Sequence, residues 1–260
     1  PQGDLAAPPS GHMPKDGFYF DAVIRQEPVQ EDALDPIDNL EEYGLISERE
    51  VQETAAAVAE AASHGRAVIA KFSGTSFGDI ARVPGLNLKR PKGIRDITEW
   101  YVSIASRPDY IHAVFSKQLE YALHNLEKLH AAIGDRQDVI FVCGTDFGTQ
   151  TSTFCSVQTY KNLFLPYYKA INGWIHANTP WKTFKHSCGA VEKFMDAFIE
   201  SGFDIINPVQ CSAAGMDPQH LKKTYGGRLV FWGGGVIPSR CCRSAHRKKC
   251  GNRSCGVVKS

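Results

Sequence analysis

Five short runs rich in β-branched and aromatic residues punctuate the chain: residues 66–72 (RAVIAKF), 138–143 (DVIFVC), 181–186 (WKTFKH), 203–207 (FDIIN) and 228–232 (RLVFW). None contains an internal proline or glycine, which predicts strands buried on both faces. Helical patterns separate them. Ser47 and Glu50 form a capping box before an alanine-rich run to Ser63. Residues 110–133 place Val114, Leu119, Leu123, Leu126 and Leu129 at helical spacing, and residues 160–178 and 191–201 predict further helices. Repeated strand-then-helix units mean parallel strands joined by right-handed crossovers. A barrel and an open doubly wound sheet both satisfy that pattern.

The polar positions favour the barrel, because they collect just after the strands. Residues 144–150 (GTDFGTQ), 187–189 (SCG), 208–210 (PVQ) and 233–235 (GGG) each follow one of the five runs. A site fed by several strand ends is the habit of a (β/α)8 barrel, whose chemistry sits at the C-terminal face of the sheet. No glycine-rich dinucleotide fingerprint opens a helix, and the phosphate-loop pattern G-x4-G-K-S/T is absent.

Composition adds bounds. At 260 residues, with 43% hydrophobic and 22% charged, the chain reads as an ordinary globular protein, and no apolar run approaches the ~20 residues that span a bilayer. The N-terminal stretch, with Asp4 and Pro8-Pro9, lacks the charged and apolar regions of a signal peptide, so a cytoplasmic location is expected. Cys143, Cys155, Cys188 and Cys211 are scattered through a chain too large to need staples and read as reduced thiols.

The formal charge of +1 hides an asymmetry. Residues 237–260 hold seven cations and no acidic residue; without them 22 basic face 28 acidic residues, a body charge of −6. Cys241, Cys242, Cys250 and Cys255 also fall in this tail. Their spacing fits no zinc pattern, and the segment is not read as a nucleic-acid arm.

Candidate chemistry concentrates in His186-Ser187-Cys188-Gly189. An imidazole and a thiol two residues apart at a strand end can face one metal ion, and zinc suits that pair of donors. Taken alone, an H-x-C pair also fits a buried thiol beside a rim histidine. Asp146 is the candidate catalytic group, either holding the ion indirectly, through another ligand, or orienting substrate, with a helix N-cap as its plain alternative. Gln150, Asn207 and Gln210 are candidate substrate-lining residues, which loop hydrogen bonding would explain nearly as well.

Several segments together resemble the uroporphyrinogen decarboxylase superfamily: HSCG at 186–189, INPVQ at 206–210, GMDP at 215–218, LVFWGG at 229–234, GTDFGTQ at 144–150 and PKGIRD at 91–96. The likeness covers most of the chain up to Val236 and is nearer to the methyltransferase branch, which moves a methyl group from a methylated corrinoid to a thiol. It implies a TIM (β/α)8 barrel over residues 1–236, incomplete at both ends. It also implies Zn2+ on His186 and Cys188 with one further, distant cysteine, and methylcobamide as co-substrate, carried by a separate corrinoid protein. In the family that cysteine lies beyond Val236; Cys211 is the nearest substitute. The alternative activity is uroporphyrinogen-type decarboxylation in porphyrin biosynthesis, acting on a tetrapyrrole without a metal. The arginine-rich N-terminal segment of those decarboxylases has no match before Tyr19. The resemblance further implies that the tail is a frameshift product. Codons exist for residues 237–250 whose bases, read one position earlier, spell the family-like DTQQMLPFGTPEEV, so an inactive truncated fragment is a third reading. Neither a nucleic-acid nor a membrane partner is expected.

Overall fold

The computed structural model describes residues 9–15 and 21–234; the basic, cysteine-rich tail and its four cysteines lie outside the described residues. Near the N-terminus β1 (Gly11–His12) pairs antiparallel with β2 (Asp21–Ala22). Helix α1 (Glu48–Ser63) begins at the expected capping box: the Glu50 amide donates to the Ser47 hydroxyl, and the Glu50 carboxylate accepts from the Ser47 amide at 2.9 Å. Strand β3 (Ile69–Lys71) follows, then α2 (Ile97–Ser106) and the long α3 (Pro108–Ile133). Strand β4 (Val139–Cys143) leads to α4 (Val157–Leu163) and α5 (Leu165–Asn178). The remaining elements are β5 (Lys182–His186), α6 (Met195–Glu200), β6 (Ile205–Asn207), α7 (Pro218–Tyr225) and β7 (Val230–Phe231).

All five expected strands are present, each shorter than its hydrophobic run. They form one parallel sheet in the order β3-β4-β5-β6-β7, every strand beside its neighbour in sequence. This order never reverses, so it lacks the switch point of a doubly wound sheet. The described residues leave the sheet open, with β3 and β7 at its edges, and do not close an eight-stranded barrel.

Three expectations need correction. Residues 160–178 form two helices rather than one, because Pro166 at the start of α5 has no N–H to give to the preceding turn and its ring crowds the carbonyl four residues back. The outer strands are not buried on both faces: Ile69 is 43% and Val230 57% exposed, since neither strand has a neighbour on its outer side among the described residues. Helices α2 and α7 lay outside the predicted set although both carry a start signal. Asp96 and Asp217 cap them by accepting the amides of Glu99 and His220, each at 2.8 Å.

Strand alternation divides the sheet into two surfaces. Ala70, Ile140, Val142, Cys143, Ile206 and Phe231 face the helices and join the main core, where Phe77, Phe115, Tyr160, Phe164, Tyr168, Phe194 and Phe198 are buried. Val139, Phe184 and Ile205, with Phe141, make a separate cluster on the opposite surface. No helix among the described residues is long and apolar enough to cross a membrane.

Candidate metal centre

Parallel register brings the ends of β4, β5 and β6 level. Cys143 lies beside Lys185, after an irregularity between Phe141 and Cys143, and His186 lies beside Asn207. Residues just beyond these ends therefore meet although about 40 positions separate them in sequence. Asp146 follows β4, His186 ends β5 and Cys188 follows it. One ligand atom from each lies within 4.8 Å of the other two. The Cys188 sulfur is 3.3 Å from His186 Nε2, and Asp146 Oδ1 is 3.8 Å from the same nitrogen. The His186 and Asp146 side chains are 31% and 30% exposed, so the cluster opens to solvent.

The hydrogen bonds fix which imidazole nitrogen faces the cluster. Asn207 Nδ2 donates to the Trp232 carbonyl at 3.0 Å, which turns Asn207 Oδ1 toward His186 Nδ1 at 2.8 Å. An amide oxygen only accepts, so His186 Nδ1 carries a proton and Nε2 is the nitrogen that faces Cys188 and Asp146. This is how metal-ligating histidines are oriented, by a hydrogen bond on the far nitrogen. The Phe141 ring lies against the His186 imidazole, with centroids 6.4 Å apart.

Asp146 is not a helix cap: the next helix starts at Val157 and is capped by Ser156. Its Oδ1 instead accepts the Cys188 amide at 2.6 Å. Burial, and then the Asp146 charge close by, push the Cys188 thiol up to about 11. A dication would reverse that balance, since coordination deprotonates a thiol. Imidazole nitrogen, thiolate and carboxylate form a mixed donor set that fits Zn2+, and three protein ligands leave a fourth position for water or substrate. Cys211 stays outside this group. Its sulfur contacts the carbonyls of Val209 and Gly234 at 3.6 and 3.7 Å, and Asp146 is the third member of the cluster.

The candidate lining residues tie loops together. Gln150 donates to the Ser212 carbonyl and accepts from Gln210 Nε2 at 2.7 Å, while Gln210 Oε1 accepts the Gly189 amide at 2.9 Å. Asn207 orients His186. The loop after β4 is itself a small hairpin, with Gly148 bridged to Thr153 and the Thr149 amide donating to the Ser152 carbonyl at 2.7 Å. Gly189 has φ +88°, and a Cβ there would lie 2.3 Å from the Gly148 carbonyl oxygen, so the last residue of the H-S-C-G motif must be glycine for the two loops to touch.

Three neighbouring residues were not singled out from sequence. Tyr101 stacks on Phe154 at 5.1 Å, and its hydroxyl is buried without a hydrogen-bond partner among the described residues. Burial, followed by the charges of Asp146 and Cys155, raises it to about 12. Ser187 donates nothing to the cluster but accepts the Phe147 amide at 3.0 Å. Lys185 is fully buried. Strand parity was the available signal for both, because it puts residues 185 and 187 on the helix-covered surface, opposite His186.

No protein-family profile matches the chain, and no curated protein matches it. Among solved structures, a methyltransferase from Methanosarcina mazei is similar at a TM-score of 0.45 and 11% identity, over 71% of this chain and 48% of that one. The chain thus spans about half the length of that protein, and a likeness of this degree carries nothing about activity.

Proposed function

We propose that this protein is a zinc-dependent methyltransferase in which Asp146, His186 and Cys188 hold the ion and an acceptor thiol takes the open position. The observation that carries the metal assignment is the convergence of three ligand atoms within 4.8 Å, from the ends of two adjacent parallel strands. Donor and acceptor come from the motif resemblance: a methylated corrinoid on a separate protein, and a small-molecule thiol.

Zn2+ bound here would lower the pKa of a coordinated thiol, supplying a thiolate near neutral pH. The residues of the chain set the stage for that step. His186 offers Nε2 because Asn207 accepts its other proton. Cys188 is held in reach by the hydrogen bond its backbone N–H donates to Asp146 Oδ1. The Gln150–Gln210 pair locks the loops that carry Asp146 and Gly189 against each other, so the donor atoms stay fixed while a substrate enters.

The test is the zinc content of purified protein, beside a His186→Ala/Cys188→Ala variant. About one zinc per chain, lost in the variant, followed by thiol-dependent loss of the methylcobalamin absorption spectrum, is the expected outcome. A cooperatively unfolding protein that binds no zinc would refute the assignment and leave metal-free decarboxylation as the better reading.

A further inference from the structure

Residues 185 to 188 divide their work by parity. The even members, His186 and Cys188, face the metal centre; the odd members, Lys185 and Ser187, reach back under the strand to the segment that carries Asp146. Lys185 Nζ donates to the Thr145 carbonyl at 3.2 Å, and the Ser187 hydroxyl accepts the Phe147 amide at 3.0 Å. The peptide groups on either side of Asp146 are therefore both held by the strand that supplies the other two ligands. Thr145 is anchored further, its hydroxyl 2.8 Å from the Phe77 carbonyl and 3.0 Å from the Tyr168 hydroxyl.

The Lys185 end of this brace is costly. Its side chain is fully buried, and no carboxylate pairs with it among the described residues. The other contacts of Nζ are the Cys143 sulfur at 3.2 Å and the rings of Phe147, Phe198, Tyr168 and Phe203 at 4.7, 5.0, 5.3 and 5.5 Å. Burying an amine costs free energy unless its hydrogen bonds are made, and an apolar side chain of the same length carries no such requirement. What lysine adds is a directed hydrogen bond to the one carbonyl that precedes Asp146.

We infer that Lys185 and Ser187 are positioning residues that set Asp146 as the third ligand, Lys185 through the Thr145 carbonyl and Ser187 through the Phe147 amide. The inference rests on the metal assignment above. The strand acts as a clamp: the backbone of Asp146 is gripped from below by the odd residues, while its carboxylate is aligned from above by the Cys188 amide at 2.6 Å.

The experiment is a double-mutant cycle on full-length protein, combining Lys185→Met with Asp146→Ala. It is read as Zn2+ affinity against a chromogenic chelator and as the visible spectrum of the Co2+-loaded protein. Lys185→Met should weaken Zn2+ binding 10- to 100-fold, as removal of an outer support for a ligand does, and should change the Co2+ spectrum. The apo protein should still unfold cooperatively. In the Asp146→Ala background the same substitution should cost no further affinity, because its route to the metal is gone. Additive losses in the two backgrounds, or a folded Lys185→Met protein with unchanged affinity and spectrum, would overturn the inference. If Lys185→Met does not fold, Ser187→Ala replaces it in the same cycle under the same criteria. Wild-type protein that binds neither Zn2+ nor Co2+ sinks the metal assignment and the inference together; a metal-binding wild type with additive losses sinks only the inference.

Discussion

Replacing Gly189 by alanine gives the sharpest test of how the centre is built. Its φ of +88° and the 2.3 Å approach of an added Cβ to the Gly148 oxygen act together, and the Gly148 carbonyl carbon and Thr149 oxygen are nearly as close at 2.4 and 2.5 Å. These are backbone atoms, so relief requires the two loops to part by about 1 Å, the gap between 2.3 Å and ordinary contact at 3.4 Å. That parting stretches the hydrogen bond from the Cys188 amide to Asp146 and the 2.8 Å hydrogen bond from the Ala190 amide to the Thr149 carbonyl. A side chain in the left-handed region costs ~1–2 kcal/mol, and two weakened hydrogen bonds add ~0.5–1.5 kcal/mol each. The sum, about 2–5 kcal/mol, is a large share of the ~5–15 kcal/mol that stabilises a protein. A fall of roughly 5–20 °C in unfolding temperature follows at this chain length. Thermal denaturation followed by circular dichroism, with zinc content measured on the same samples, reads both consequences. A Gly189→Ala protein that melts within a degree or two of wild type and keeps its metal would refute the loop-contact argument.

Two further substitutions probe the surroundings. Asn207→Leu removes the acceptor that fixes the His186 tautomer and should weaken zinc binding ~10–100-fold; chelator competition showing equal affinity would contradict the tautomer assignment. Asp204 accepts the Thr183 amide at 2.8 Å and lies 2.8 Å from His176 Nε2. Burial raises its carboxyl, but the Thr183 amide and then His176 outweigh it, holding the group below the usual 3.8. A lowered folded-state pKa means stability that is present above pH 3.8 and lost as pH falls through the folded value. Asp204→Asn should therefore cost on the order of 1–2 kcal/mol at neutral pH and flatten the acid limb of the stability profile. Parallel profiles for the two proteins would rule that contribution out.

The runs of β-branched and aromatic residues were sufficient to find every strand of the main sheet, because such side chains suit a pleated surface that is at least half buried. Strand ends were less legible: residues 66–72 read as one run, yet only Ile69–Lys71 pair. At the centre, the pairing of His186 with Cys188 was visible because both sit on one strand end. The place of Asp146 was not, since it depends on the register that sets Cys143 beside Lys185, a fact of two distant segments. Gln150 and Gln210 show a different limit. An amide side chain has the same composition whether it meets substrate or another loop, and here the two meet each other. Pro166 carried a plain message, a helix restart, within a run whose apolar spacing suggested continuity.

The division of residues 185 to 188 between two surfaces has a consequence for how such a centre changes over evolutionary time. On a helix, ligands and their supports interleave around one cylinder, and a change of donor disturbs its neighbours. On a pleated strand the two sets point in opposite directions. If His186 and Cys188 hold a metal as proposed, either could be exchanged for another donor, and the metal preference retuned, while Lys185 and Ser187 continue to hold the adjoining segment in place. Ligand identity and loop architecture become separately heritable, so a lineage can explore new chemistry at this strand end without first rebuilding the sheet beneath it.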